Sequence, residues 1–186
     1  MTRRRRGAPG SEPPATGAAA VDTEPDPESV ARAIALRLLT GAPRSRHQLA
    51  EAMARRDVPE DVATRVLDRF TEVGLVDDAE YARMLVRSRQ ESRGLARRAL
   101  AVELRRKGIG DELAAEALED VDPEAEEERA RDLLRRRWRP DLDPDVQARR
   151  ALAMLGRKGY PSGLSHRLVA EMRDDGGRPG SPVDDD

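Results

Sequence analysis

The feature that most constrains this chain is a helix–turn–helix pattern that recurs at intervals of 51 residues. It reads EAMARRDVPEDVATRVL at 51–67, ELRRKGIGDELAAEAL at 103–118 and MLGRKGYPSGLSHRLV at 154–169. In the helix after each turn, apolar residues recur at i, i+4, i+5 and i+8, which defines one helix face. These residues are Val62, Val66, Leu67 and Phe70, then Leu113, Ala117, Leu118 and Val121, then Leu164, Leu168, Val169 and Met172. A pattern with a fixed period predicts units that stack on one another.

The turn of each hairpin carries a residue that bears on how the preceding helix ends. Gly108 and Gly159 follow the second helix, where glycine adopts the left-handed conformation without a steric penalty. Asp57 stands at the same position of the first copy and tolerates that conformation less well. A further helical pattern precedes each hairpin, and Asp77 with Glu80 resembles a capping arrangement at the start of one of them.

Each unit therefore contains three helices in roughly 50 residues, and such a unit alone would be marginally stable. We predict an all-α fold: an elongated, curved tandem array of three three-helix repeats over 28–75, 76–122 and 123–172. The segments 1–27 and 173–186 lack a periodic apolar pattern and cannot offset the entropy of ordering. They are expected to be disordered N- and C-terminal tails.

The composition excludes several kinds of site. The chain has no cysteine, which excludes disulfides and thiolate metal sites. Its two histidines, His47 and His166, have no second histidine at metal spacing, and no glycine-rich phosphate loop occurs. The acidic run 119–128 lacks the glycine and the spacing of a calcium loop, so a solvated linker is the simpler interpretation. We expect no catalytic activity, no metal and no cofactor.

Location follows from what the sequence lacks. No apolar run approaches the roughly 18 residues that a membrane span requires. The basic start MTRRRRGAPGSEPP is not followed by the apolar segment of a signal peptide. We therefore predict a cytoplasmic protein with no membrane partner, and we expect a monomer.

Charge is strongly segregated along the chain although the formal net charge is only −2. Residues 111–128 hold ten acidic groups and no basic one, whereas 83–107 hold nine basic groups against Glu91 and Glu103. These nine, which we call the central basic segment, are Arg83, Arg87, Arg89, Arg93, Arg97, Arg98, Arg105, Arg106 and Lys107. One interpretation is a solvated face in an arginine-rich protein. The other is a surface that attracts nucleic acid or an acidic protein with marked salt dependence.

Helix–turn–helix pairs also suggest DNA binding, in which the start of the second helix enters the major groove. Here those starts carry Glu60-Asp61 and Asp111-Glu112, which complement the helix dipole but repel phosphates. They favour a structural hairpin, while Ser162-Gly163 in the third copy leave that copy undecided. A helical DNA- or RNA-binding regulator and a scaffold that binds only protein both remain as alternatives.

The most specific segments of the sequence are GLVDDAEYARMLVRSR at 74–89, Gly94, Arg97 and ELRRKGI at 103–109. Together they resemble the RecX family, regulators of the bacterial RecA recombinase. SRHQL at 45–49 resembles the entry of the family's first hairpin, and RKGY at 157–160 resembles its third turn. The resemblance covers about 30–172, which is nearly all of the predicted folded part.

The resemblance implies tandem three-helix repeats, in agreement with the periodicity. It implies binding in the groove of the RecA filament on single-stranded DNA, with inhibition of strand exchange, ATP hydrolysis and coprotease function. It implies no catalytic residues. The central basic segment would then face the filament or its DNA, with weak direct binding to nucleic acid as an additional contact. The alternative is a helical DNA- or RNA-binding regulator that acts without RecA.

Overall fold

The computed structural model describes residues 26–139 and 141–176, and in these residues it contains nine α-helices and no strand. In chain order they are α1 Pro27–Gly41, α2 Arg46–Ala54, α3 Glu60–Glu72, α4 Asp78–Arg93, α5 Arg97–Arg106, α6 Asp111–Glu119, α7 Pro123–Arg137, α8 Pro144–Arg157 and α9 Ser162–Gly176. We call α1–α3 repeat 1, α4–α6 repeat 2 and α7–α9 repeat 3. None of these helices is long and apolar enough to cross a membrane.

Most of the helices begin at a side-chain cap. The carboxylates of Asp26, Asp77, Asp122 and Asp143 accept hydrogen bonds from backbone N–H groups in the first turn of α1, α4, α7 and α8. The predicted cap at Asp77 is present, because its Oδ1 accepts from the backbone N–H of Glu80 at 2.8 Å. Each of these caps satisfies a donor that the helix itself cannot pair.

The three hairpin turns share one backbone conformation. Asp57, Gly108 and Gly159 have φ angles of 57°, 74° and 86°, which lie in the left-handed region. The next residue in each turn donates its backbone N–H to a carbonyl five residues earlier, at 3.1–3.2 Å. That residue is Val58, Ile109 or Tyr160, and it is buried in every case. This is the Schellman ending of a helix, formed three times at a spacing of 51 residues.

Each repeat has its own apolar core. The clusters are centred on Leu49, Met53 and Leu67 in repeat 1, on Leu100, Leu104 and Leu118 in repeat 2, and on Leu134, Leu155 and Leu168 in repeat 3. Of the twelve apolar positions predicted after the turns, nine are buried, and Leu113, Leu164 and Met172 are partly buried against the same clusters. The helical face read from the sequence is therefore the face that forms the core.

The repeats follow one another in a row. Among the described residues, hydrogen bonds join repeat 1 to repeat 2 and repeat 2 to repeat 3, and none joins repeat 1 to repeat 3. The prediction of an all-α tandem array of three three-helix repeats is confirmed. Helix α9 continues to Gly176, past the bound of 172 predicted for repeat 3. The predicted tails lie outside the described residues, except for the last residues of α9 and the first of α1.

Candidate partner-binding site

The two junctions between repeats have the same geometry. At the first, the hydroxyl of Ser45 at the start of α2 donates to the carbonyl oxygen of Lys107, in the turn after α5, at 2.5 Å. At the second, the backbone N–H of Ala96 at the start of α5 donates to the carbonyl oxygen of Lys158, in the turn after α8, at 2.9 Å. Donors and acceptors are each 51 residues apart. The starts of α2 and α5, the middle helices of repeats 1 and 2, therefore each contact the hairpin turn of the next repeat.

A carboxylate from the next repeat completes each junction. Asp78 Oδ1 accepts from the backbone N–H of Arg46 at 2.8 Å, and Glu126 Oε2 accepts from the backbone N–H of Arg97 at 2.7 Å. These N–H groups lie in the first turns of α2 and α5, where no carbonyl within the helix reaches them. Glu126 is 8% exposed, and its bond to the start of α5 explains a carboxylate in so buried a position.

Glycine is required at the two inner turns because another repeat packs against them. A Cβ on Gly108 would lie 2.2 Å from the Cβ of His47, and a Cβ on Gly159 would lie 2.5 Å from the backbone nitrogen of Ala99. The outer turn at Asp57 has no repeat before it among the described residues, and Asp57 is exposed. The first turn therefore has room for the Asp57 side chain, and the left-handed backbone conformation is the remaining cost of having a residue other than glycine there.

The members of the central basic segment differ in the groups that they contact. Five of its members bond inside repeat 2, and they are Arg83, Arg87, Arg89, Arg97 and Arg105. Most of their partners are carboxylates of the same repeat, such as Glu103, which lies 2.7 Å from Arg89. Arg97 instead donates through Nη1 to the carbonyl oxygen of Leu118 at 2.6 Å. The carboxylates partly neutralise the charges of Arg83, Arg87, Arg89 and Arg105, whereas Arg97 is held by a neutral carbonyl group.

The other four members line a groove between α5 of repeat 2 and α8–α9 of repeat 3, which we call the interrepeat groove. These four are Arg93, Arg98, Arg106 and Lys107, and the groove has a volume of about 840 Å³. Arg157 and His166 add donors from repeat 3, and the exposed apolar side chain of Val102 lies between the charges. Glu103 is the acidic residue of its lining and pairs with Arg89 and Arg93. Within the described residues, Arg98, Arg106, Lys107 and Arg157 form no ion pair.

Two polar side chains next to this groove join repeat 3 to repeat 2: Lys158, which is partly buried, and Tyr160, which is buried. Lys158 Nζ donates to the carbonyl oxygen of Arg93, and burial, followed by repulsion from Arg137 and Arg93, lowers the pKa of Lys158. The hydroxyl of Tyr160 donates to the carbonyl oxygen of Gly94 at 3.2 Å, and burial raises the pKa of Tyr160 to about 12. Both side chains fasten the turn of repeat 3 to the end of α4, so the groove has fixed walls.

The sequence-based prediction of this surface missed Arg157. The signal was available in the repeat, because Arg55, Arg106 and Arg157 occupy the same position in repeats 1, 2 and 3. All three lie at or next to the end of a middle helix, where a cation also stabilises the helix dipole. Only the packing of repeat 3 on repeat 2 brings two of the three into one groove.

The described residues offer little to a catalytic mechanism. No group of three or more His, Asp or Glu side chains in this part of the chain could hold a metal ion. His47 pairs with Glu51 at 3.4 Å on the surface of α2, and His166 Nδ1 lies 2.8 Å from the carbonyl oxygen of Ser162. The interrepeat groove is a concave surface lined mainly by cationic side chains.

Comparison with protein families matches two consecutive parts of the chain. A family model described as "RecX, first three-helix domain" matches residues 31–70, and "RecX, second three-helix domain" matches residues 77–118. A protein named Regulatory protein RecX from Streptomyces coelicolor is 49% identical over 154 residues, which is 82% of each chain. One of the same name from Thermobifida fusca is 48% identical over 168 residues, or 89% of each chain.

Two solved structures share the architecture. The crystal structure of RecX from Lactobacillus salivarius superposes with a TM-score of 0.69 at 20% identity, covering 80% of this chain and 97% of that one. A crystal structure of regulatory protein RecX superposes with a TM-score of 0.65 at 26% identity, covering 81% of this chain and 72% of that one. The first of these likenesses concerns the fold alone. The similarity to the curated relatives covers most of each sequence.

Proposed function

Because this chain belongs to the RecX family of regulatory proteins, we propose that it regulates the RecA recombinase. It acts as a monomer in the cytoplasm, binds the RecA filament on single-stranded DNA, and inhibits recombinase, ATPase and coprotease activities. In this way it modulates DNA repair and recombination. The relatives are named regulatory proteins, and we propose no catalytic step for this chain.

The observation that carries the docking part of the proposal is the interrepeat groove. It collects Arg93, Arg98, Arg106 and Lys107 with Arg157 in a concave surface that has apolar residues between the charges. A cleft lined by one sign of charge focuses the electrostatic field and raises the local concentration of an oppositely charged partner. An acidic segment on the filament surface is therefore the partner that this groove fits.

The array adds a second reason for a polymeric partner. The hydrogen bonds at the junctions hold the three repeats in fixed positions relative to one another, so their surfaces do not move independently. Once one repeat is bound, the others are held near neighbouring protomers at a high effective concentration. Modest contacts of single repeats then combine into tight binding to a filament, whereas an isolated RecA protomer engages fewer of them.

The first test is the ATPase activity of the cognate RecA on single-stranded DNA, titrated with this protein at moderate salt. We expect inhibition well below one protein per RecA protomer, because an inhibitor of filament growth acts at few sites. Normal hydrolysis on assembled filaments, with this protein folded by circular dichroism, would reject the proposal. The helical DNA- or RNA-binding regulator that acts without RecA would then be favoured.

The second test separates the interrepeat groove from the other basic residues. The triple variant Arg93→Gln, Arg98→Gln and Arg106→Gln removes three charges from the groove. The matched control Arg83→Gln, Arg87→Gln and Arg105→Gln removes three charges that are paired within repeat 2. The groove variant is expected to lose filament binding by at least tenfold while the control loses less than about threefold, since desolvated charge pairs contribute more than exposed ones. Equal losses in both would contradict docking at the groove.

A further inference from the structure

Repeat 3 carries a second basic groove. It lies between the end of α7, the segment after it and α8, shares Arg157 with the interrepeat groove, and has a volume of about 490 Å³. We call it the arginine–tryptophan groove, after the side chains that line it: Arg136, Arg137, Arg139, Arg150, Arg157 and Trp138. Its described lining includes no acidic residue, in a chain with 36 acidic residues.

The charges of this groove are available to a ligand. Arg136, Arg137, Arg150 and Arg157 are exposed and form no ion pair with a described residue, and Arg139 pairs with Asp141 at 3.5 Å. Cations in the last turn of a helix are often explained by the helix dipole. That explanation does not cover Arg139, which follows α7, or Arg150, which lies in the middle of α8. Five arginines thus converge on one concavity without a shared structural reason.

Trp138 gives the groove a second kind of recognition. It is partly buried, with part of its side chain packed on the core of repeat 3, and it also lines the groove between two arginines in the chain. The backbone beside it is fixed by Gln147, whose Oε1 accepts from the N–H of Arg139 at 2.6 Å and whose Nε2 donates to the carbonyl oxygen of Arg139. An indole held in this way between cations offers a preformed stacking surface.

We propose that the arginine–tryptophan groove binds single-stranded nucleic acid, with its arginines on the phosphates and Trp138 against a base. Non-specific single-strand sites combine a cationic groove with an aromatic side chain, and stacking on that side chain tolerates any base. An acidic peptide would use the charges but leave the indole without a planar partner. A duplex hides its bases from such a surface. The contact is independent of RecA and is tested without it.

The chain contains one tryptophan, so its fluorescence reports directly on this groove. Titration of the full chain at low salt with an oligothymidylate of about 16 nucleotides is expected to quench Trp138 to saturation. Added salt should reverse the quenching. The variant Arg136→Gln with Arg150→Gln should weaken binding at least tenfold and reduce the slope of log K against log salt by about 1.4. The control Arg83→Gln with Arg87→Gln should retain both values.

Some results would overturn this proposal, and others would change the ligand that is assigned to the groove. An absence of quenching and of any anisotropy change on a labelled oligonucleotide would overturn the proposal, as would equal weakening by the control variant. Polyglutamate that competes as well as oligothymidylate would show a general polyanion site, and a duplex that binds as tightly would exclude the stacking role. Oligouridylate tested beside oligothymidylate distinguishes RNA from DNA, and binding of either supports the groove. The variant Trp138→Phe, followed by anisotropy, should keep most of the affinity, since Phe still stacks.

Discussion

Replacing Gly159 by alanine places a methyl group in the junction between repeats 2 and 3. The added Cβ would lie 2.5 Å from the backbone nitrogen and 2.7 Å from the Cβ of Ala99, and neither atom can leave by a side-chain rotation. The φ angle of 86° is also one that an alanine rarely adopts. The turn and the start of α5 must therefore separate before the substitution can be accommodated.

The cost can be estimated from the contacts that this separation removes. An L residue in the left-handed region costs about 1–2 kcal/mol relative to glycine. Separation also weakens the bond from Ala96 N–H to the carbonyl oxygen of Lys158 and the bond from the Tyr160 hydroxyl to Gly94, each worth about 1 kcal/mol. We expect Gly159→Ala to destabilise the chain by about 3–4 kcal/mol, a large part of the 5–15 kcal/mol typical of a domain.

Urea unfolding followed by circular dichroism would measure this loss. Gly156→Ala is a matched control three residues away, because a Cβ there meets nothing within 4 Å and alanine favours the helix by about 1 kcal/mol. Asp57→Ala tests the outer turn, where the change should cost less than about 1 kcal/mol, since none of the described repeats packs on it. If Gly159→Ala unfolds at the same urea concentration as Asp57→Ala, the steric argument for the inner turns is wrong.

Two further predictions concern carboxylates of repeat 3. Glu126→Ala should destabilise the second junction by about 1–3 kcal/mol in urea unfolding, because it leaves the N–H of Arg97 without its partner. Glu126→Gln retains an acceptor and should recover much of this stability. Equal destabilisation by both variants would exclude the capping role. The hydrogen bond and charge of Arg167, with Arg131, lower the pKa of Glu127 from 4.5 to about 2. Because the folded pKa is the lower one, this stabilisation is present above pH 4.5 and is lost as the pH falls towards 2. Glu127→Gln should therefore flatten the dependence of the unfolding midpoint on pH in that window, and an unchanged slope would contradict the assignment.

The repeats can be predicted from the sequence because the patterns that define them lie within short segments of the chain. The spacing of Val62, Val66 and Phe70 defines a helix face within nine residues, and the same spacing appears in the other two copies. The glycines at the inner turns were predicted as helix ends. Their second role, contact with His47 and Ala99, depends on how one repeat sits on the next. The sequence of a single repeat carries no information on that register.

The sequence predicts the candidate site less well than it predicts the fold, because a count of charged residues does not show which of them form ion pairs within the protein. Arg83 and Arg98 look equivalent in the central basic segment, yet Arg83 lies between Glu80 and Glu116 while Arg98 lines the interrepeat groove. The acidic run 111–128 is likewise identified in the sequence only by its count of charges. Several of its members serve the fold, since Glu116 pairs with Arg83 and Glu126 caps α5. Only the tertiary structure distinguishes charges that are neutralised inside the protein from those that remain for a partner.

The start of α8 differs from the starts of α2 and α5. Helices α2 and α5 begin at equivalent residues, 51 apart, and leave an N–H that the next repeat pairs with a carboxylate. Helix α8 begins four residues earlier than this spacing predicts, at Pro144. Ala148, the equivalent of Arg97, therefore lies inside a helix, and Gln147 fills the place of Ala96 and bonds to the segment before α8. Because the N–H groups in the first turn of α8 bond to Asp143, the start of α8 offers neither of the two junction contacts that α2 and α5 make.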